Sequence, residues 1–296
     1  YPSLGLSNGE IASLSRSMHK SQGFGSTGSR GNQTEYLEFL KGDFPDDKSN
    51  IFDGINTTWS RLEGGAAIGA ILNPLAENFN FENPSAMLPQ LTKAYDLVKN
   101  LKDSHWREIK LNQLQTLILD SGGIFLEGVA NTNAVNPNGS YDVTVEAINR
   151  SDYSVVINGI ETKDGTLLLA VNQTLPPNSK KEFQLTIKNA SAKVSTPYWL
   201  NQKGTLGMYS APEEMIGMPE TPAPEKLVFD LQLRNTNLKI ARDVVYKFTD
   251  PVKGEVYQPL EVLPAVSSSI PEKVLIFASE EARQVPVIVT AGRDNI

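Results

Sequence analysis

The 296-residue sequence contains no cysteine, which excludes disulfides and thiolate metal sites. It has only two histidines, His19 and His105, far apart and without an H-x-x-H partner. A catalytic zinc usually needs three protein ligands and an open position, so no such site is expected within these residues. No apolar run is long enough to cross a membrane. The opening residues lack the basic segment followed by an apolar one that marks a secretory leader. Positive charge is also in short supply: 27 Lys and Arg stand against 34 Asp and Glu, a net charge of −7. The cations are dispersed, which argues against a nucleic-acid surface, where clustered positive charge must replace counterions.

What is present is length enough for two or three domains. Ser7 to Gly23 reads as a short capped helix: Ser7 and Glu10 stand at capping-box spacing, and Ile11, Leu14 and Met18 recur at helical intervals. So short a helix is marginal alone in water, and its apolar stripe must dock on something. A polar, glycine-rich loop extends from there to Gln33. Thr34–Leu40 fits a strand or a short helix, and Gly42–Gly54 reads as loop, with Trp59 as a buried anchor behind it.

Helical periodicity then dominates. Gly65–Phe79 is apolar on one side, with Pro74 expected to bend or end it. Pro84 and Ser85 open a helix whose stripe runs from Met87 to Leu101. Asp103 or Ser104 caps a third, with Trp106, Ile109, Leu114, Leu117 and Ile118 inward, running past Gly122-Gly123 toward Ala130. The very short link between the second and third predicts an antiparallel helical hairpin.

Near Asn131 the period changes from helical to two. Tyr141–Ala147, Val155–Ile160, Thr166–Val171 and Glu182–Ile187 read as strands separated by turns, with a proline-rich passage after them ending near Pro224. Further strands are expected at Leu227–Leu233, Val244–Phe248, Glu255–Val262, Val274–Phe277 and Val285–Thr290. Short strands with frequent turns are the signature of a β-sandwich. The expected class is α+β: an N-terminal helical segment and an antiparallel helical hairpin, then one or two immunoglobulin-like β-sandwich modules. The boundaries are 1–62, 63–131, 132–203 and 204–296, with two modules favoured because Gly204–Pro224 looks like a connector.

Several motifs dissolve on inspection. Gly23–Gly28 fits G-x-G-x-x-G, but a helix precedes it where a dinucleotide site needs a strand, so it reads as a flexible loop. Ser17–Lys20 fits S-x-x-K and Ser151-Asp152-Tyr153 loosely matches a second motif of penicillin-recognising enzymes, yet Lys-Thr-Gly is missing. Asn-x-Ser/Thr triplets occur at Asn32, Asn56, Asn138, Asn149, Asn172 and Asn189; they matter only in a eukaryotic secretory pathway. Tyr198 and Trp199 could stack on a sugar ring, or could plug the space between modules, as buried aromatics usually do.

One stretch carries a family likeness. His19-Lys20-Ser21-Gln22 at the end of an Ala-, Leu- and Ser-containing helix resembles the last helix of the PIG-L (LmbE-like) zinc deacetylase domain. Arg30-Gly31, Glu35–Glu38, Ile51–Arg61 and Asp250–Glu255 are similar to the segments C-terminal to that domain in multi-domain bacterial members. The family's Ala-His-Pro-Asp-Asp-Glu motif is absent, and Phe44–Lys48, though it echoes it, lacks the His and the final acid. The resemblance therefore implies a non-catalytic accessory or scaffold region of a zinc-dependent N-acetyl sugar deacetylase. The catalytic domain would lie upstream and act as partner, and these residues alone would have no hydrolase activity. It further implies zinc only in that missing domain and a bacterial envelope (periplasmic or secreted) location. Of the family-motif residues, His19 either lines the rim of the missing cleft or is a structural helix residue, and Ser21 and Gln22 hold the helix end to the body. Two other classes stand beside it. One is a carbohydrate-binding or adhesion module using Tyr198 and Trp199. The other is an enzyme with a carboxylate pair that leaves no sequence signature.

Overall fold

A computed structural model describes residues 2–188, 190, 191 and 193–292. The chain divides into two compact units, 1–56 and 57–296, so the first boundary expected at residue 62 falls earlier. It does so because Trp59 packs on the helix at Gly65–Glu77: a side chain at Gly69 would meet Trp59 Cβ at 3.1 Å.

In the first unit, α1 (Asn8–Ser17) begins as expected. The Ser7 hydroxyl accepts from the Glu10 amide at 3.2 Å, and the Glu10 carboxylate accepts from the Ser7 amide at 3.0 Å. Among the described residues the apolar stripe is left largely uncovered. Ser13 is covered, its hydroxyl donating to the Ser26 carbonyl, whereas Leu14 is 59% and Met18 73% exposed. The glycine-rich segment, expected to be a flexible loop, lies along α1, close enough that a side chain at Gly28 would meet Glu10 at 3.1 Å. Thr34–Leu40 forms neither strand nor helix.

The second unit is α+β. Its helices are α2 (Gly65–Glu77), α3 (Leu88–Val98) and α4 (Ser104–Gly122). Pro74 does not end α2, which continues beyond it to Glu77. Asp103 caps α4, accepting from the Trp106 amide at 3.0 Å. The helix stops at Gly122 rather than near Ala130, because Gly123 takes a left-handed conformation (φ +54°) that closes the last turn. Leu117, expected inward, is 49% exposed. Trp59 is half-buried and joins Trp106 in a small aromatic–cation cluster. The Arg61 guanidinium sits 4.6 Å from the Trp106 ring centre, and Lys110 lies over both indoles at 5.7 and 5.6 Å.

The strands run in order: β1 (Ile124–Ala130), β2 (Ala134–Val135), β3 (Tyr141–Asn149), β4 (Val155–Thr162), β5 (Leu167–Leu175), β6 (Ser179–Ile187), β7 (Lys226–Leu233), β8 (Thr236–Asp250), β9 (Gly254–Pro259), β10 (Glu261–Val262), β11 (Val266–Ser269) and β12 (Ile288–Ala291). Val274–Phe277, expected as a strand, is not one. Eight strands make one mixed sheet in the order β5-β4-β7-β8-β1-β3-β6, with β9 on the far half of β8. The expected division at residues 203 and 204 is therefore corrected: β4 pairs with β7, and β1 pairs with β8. Strands from both sides of the supposed connector share a sheet and one core.

Strand β8 is the crease. Its first half pairs antiparallel with β7 across a two-residue turn, Arg234-Asn235, in which Arg234 has φ +56°. Its second half leaves β7 and pairs with β1, in parallel at Val244–Tyr246, and with β9. Alternation fixes the buried face: Val143, Val145 and Ala147 of β3 and Leu227, Phe229, Leu231 and Leu233 of β7 are almost fully enclosed. Each fully buried aliphatic of this kind stabilises the fold by about 1.5–3 kcal/mol. The core continues beneath the helices through Ile68, Leu88, Val98 and Ile118. Polar ties reinforce the contact. Thr236 Oγ1 donates to Asp96 Oδ2 at 2.5 Å, Lys99 Nζ to the Asn237 carbonyl at 3.0 Å, and Gln115 Nε2 to the Lys239 carbonyl at 3.2 Å.

Candidate functional site

His19, Ser21 and Gln22 are all exposed and lie just beyond α1. His19 Nδ1 is 3.0 Å from Gln22 Oε1, so two of the three singled-out residues are joined. Among the described residues no three His, Cys, Asp or Glu side chains gather as a metal site would require.

Tyr198 and Trp199 sit in a single 3-10 turn and are half-buried. Their rings meet edge to face, with centroids 5.0 Å apart and planes at 86°. The Tyr198 hydroxyl donates to the Met218 carbonyl at 3.0 Å, and its amide donates to Thr221 Oγ1 at 2.9 Å. A carbohydrate platform presents ring faces; here one ring edge is spent on the other's face, and the tyrosine hydroxyl pins the irregular segment 196–221.

Ser151 lies in the β3–β4 connection, as part of a buried polar knot. Asn149, wholly enclosed, points its amide nitrogen at the carbonyls of Tyr153 (2.7 Å), Leu175 and Pro176 (3.1 Å each). Its carbonyl accepts from the Ser151 amide at 3.0 Å and faces the Ser151 hydroxyl at 2.7 Å. The β3–β4 and β5–β6 turns are thus tied together, and the triplet at Asn149 is closed to modification in the folded chain. The triplets at Asn32, Asn56, Asn138 and Asn172 are wholly or partly exposed; Asn189 lies outside the described residues.

Two arrangements were not anticipated. The first is a charged row on the solvent side of β9, β8, β1, β3 and β6. Lys247 Nζ lies 2.8 Å from Glu127 Oε2 and 3.5 Å from Glu255 Oε2. The Tyr257 hydroxyl donates to Glu255 Oε1 at 2.8 Å, and Lys180 lies 2.6 Å from Glu146. Register sets Glu127 directly opposite Glu146 and Glu146 opposite Glu182. Such like-charge neighbours repel, and the two lysines offset them. The hydrogen bond to Glu255, then burial, pushes the Tyr257 phenol up to about 12. The hydrogen bond to Glu127 holds the Lys247 ammonium well above its usual range. Inside the sheet, burial and then the Glu225 carboxylate push the Tyr141 phenol upward. Among the described residues its hydroxyl is enclosed with no hydrogen-bond partner.

The second is a groove of about 330 Å³ between α3 and the β7–β8 turn. Lys93, Asp96 and Asn100 come from one side, and Arg234 and Asn235 from the other, with Leu97 adding an apolar patch. Sequence reasoning had no means to join residues some 140 positions apart; the two-residue turn at Arg234-Asn235 was the available signal.

No family model matches this chain, and no curated protein matches it. Among solved structures, a CARDB domain of a Pyrococcus furiosus protein, described in complex with di-metal ions, is 12% identical over 47% of this chain and 89% of its own, with a TM-score of 0.22. The Pseudomonas fluorescens alkylpurine DNA glycosylase AlkC, bound to DNA containing an abasic site analog, is 9% identical over 58% of this chain and 50% of its own, with a TM-score of 0.19. No helix among the described residues is long and apolar enough to cross a membrane.

Proposed function

We propose that this chain is the non-catalytic accessory region of a multi-domain PIG-L (LmbE-like) N-deacetylase of the bacterial envelope. In this reading the creased sheet acts as one immunoglobulin-like sandwich, and α3 and α4 act as an antiparallel hairpin that buttresses it. The observation that carries the reading is α1. It is a properly capped helix whose buried residue is a serine and whose Leu14 and Met18 stand 59% and 73% exposed. Burying the exposed parts of these two side chains against a neighbour contributes about 2–4 kcal/mol toward docking it. That neighbour is the zinc-bearing catalytic domain, with His19 at the rim of its cleft and Ser21 and Gln22 holding the helix end. There, zinc-activated water would attack the N-acetyl carbonyl, with an acidic residue as base.

The test is a pull-down and an assay. The chain should show no deacetylation of an N-acetylglucosamine substrate with added zinc. It should bind a co-expressed catalytic domain of the family, and the double change Leu14→Asp with Met18→Asp should abolish that binding. Deacetylation by the chain alone would overturn the reading, as would binding indifferent to the double change. A carbohydrate-binding or adhesion module built on Tyr198 and Trp199 has less support, because the edge-to-face pair and the engaged Tyr198 hydroxyl suit a structural strap.

A further inference from the structure

We infer that the groove between α3 and the β7–β8 turn is a binding site for an acidic sugar, a pyranose bearing one carboxylate beside free hydroxyls. The inference does not depend on the deacetylase reading, since it uses only residues of the second unit.

Three features point to this chemistry. First, the groove holds cations that are not otherwise paired. Among the described residues neither Lys93 nor Arg234 forms an ion pair, and both are exposed at its rim. Arg234 is held out by the tight turn, and its guanidinium lies over the Tyr153 ring at 5.5 Å from the centre. A planar, multi-donor fork of this kind matches a carboxylate in two-point fashion. Second, the groove also holds one fixed carboxylate. Asp96 is anchored by Thr236 Oγ1 at 2.5 Å and by Lys99 Nζ at 3.1 Å, and its remaining lone pairs can accept from a ligand hydroxyl. A carboxylate there disfavours a multiply charged phosphate but suits a singly charged ligand rich in hydroxyl donors. Third, the exposed Asn235 amide and the Asn100 side-chain carbonyl, whose amide nitrogen donates to the Asp96 carbonyl at 2.9 Å, supply further polar partners, and Leu97 offers apolar surface for the sugar's C–H face.

The experiment is a titration of the isotopically labelled full chain, monitored by amide shifts, at matched ionic strength. The ligands are D-glucuronate, a glucuronate-containing disaccharide, D-glucose and inorganic phosphate. The acidic sugars should give saturable shifts confined to residues near 93–100 and 234–236, with a dissociation constant of about 1 mM or tighter for the disaccharide. Glucose should bind at least about tenfold more weakly. Arg234→Gln should weaken the acidic sugars about tenfold while lowering the thermal midpoint by no more than a few degrees, the share of the lost Tyr153 contact; Lys93→Gln, which makes no such contact among the described residues, serves as a second variant. Asp96→Asn should weaken the sugar but not phosphate. The proposal fails if the shifts do not saturate, or if phosphate binds as tightly as the disaccharide, which would mark a generic anion site. It also fails if glucose matches glucuronate, or if neither cation variant weakens binding.

Discussion

Leu227 of β7 occupies the space that a side chain on Gly128 of β1 would need: a Cβ at 128 would stand 2.5 Å from Leu227 Cδ1. These two strands are not neighbours in the sheet; β8 runs between them. The contact therefore spans the crease and shows that the two halves of the sheet close on each other here.

Gly128→Ala should destabilise the chain by about 1–3 kcal/mol through overpacking, and Leu227→Ala by about 2–5 kcal/mol through the cavity it leaves. Together they should cost less than their sum, because the alanine methyl at 128 enters space that Leu227 has vacated. Urea unfolding of the two single variants and the double gives the coupling. Strict additivity would mean the two side chains do not meet.

Asn149→Ala should cost about 3 kcal/mol, since it strips an enclosed donor from the carbonyls of Tyr153, Leu175 and Pro176. Ser151→Ala, which leaves those bonds in place, should cost less. The urea midpoint orders the two, and a reversed order would refute the assignment of Asn149 as the hub.

The charged row makes stability fall at high pH. Tyr257 and Lys247 both hold their protons more tightly folded than unfolded. Their contributions are complete below the unfolded values near 10 and are lost as pH rises; for Tyr257 the loss runs from there to about 12. Absorbance at alkaline pH should show a late phenolate wave near pH 12 that Tyr257→Phe removes. A Tyr257 that ionises with the exposed tyrosines would contradict the Glu255 hydrogen bond.

At the other end of the scale, Glu10 is held below the ordinary carboxylate range by the Ser7 amide first and by Arg30 as well. A depressed carboxylate stabilises above its unfolded value and loses that effect as pH falls through about 4 and below. The protection of the α1 amides, taken as the ratio of intrinsic to observed exchange rate at each pH, should fall over that range. Ser7→Ala should lower it at neutral pH, in line with the loss of about 1 kcal/mol of cap.

What the sequence disclosed was local. Ser7 and Glu10, Asp103, and the two-period of Tyr141–Ala147 and Leu227–Leu233 each carry their signal within a few residues, and each element formed. What it withheld was pairing. Periodicity says that β4 and β7 have an apolar face, but not that they lie side by side, so the proline-rich passage between them has the look of a domain joint. Glycine inside a helix costs only about 1 kcal/mol, so the sequence alone does not mark Gly123 as a stop; its left-handed conformation is what ends the helix. His19 and Gln22 come together because they are three residues apart on one turn; the groove at Lys93 and Arg234 needs the β7–β8 turn to meet α3, which no local pattern encodes.

Because β8 belongs to both halves of the sheet, neither half can be finished until residues 236–250 have been made. The parallel pairing of Gly128–Ala130 with Val244–Tyr246 joins segments on the order of a hundred residues apart, and contacts that distant form slowly. At synthesis rates of about 5–20 residues per second, β1 and β4 wait several seconds on the ribosome with open, apolar edges. A product truncated before residue 244 would lack the partner of β1, and one truncated before residue 226 would leave β4 without its β7 partner as well.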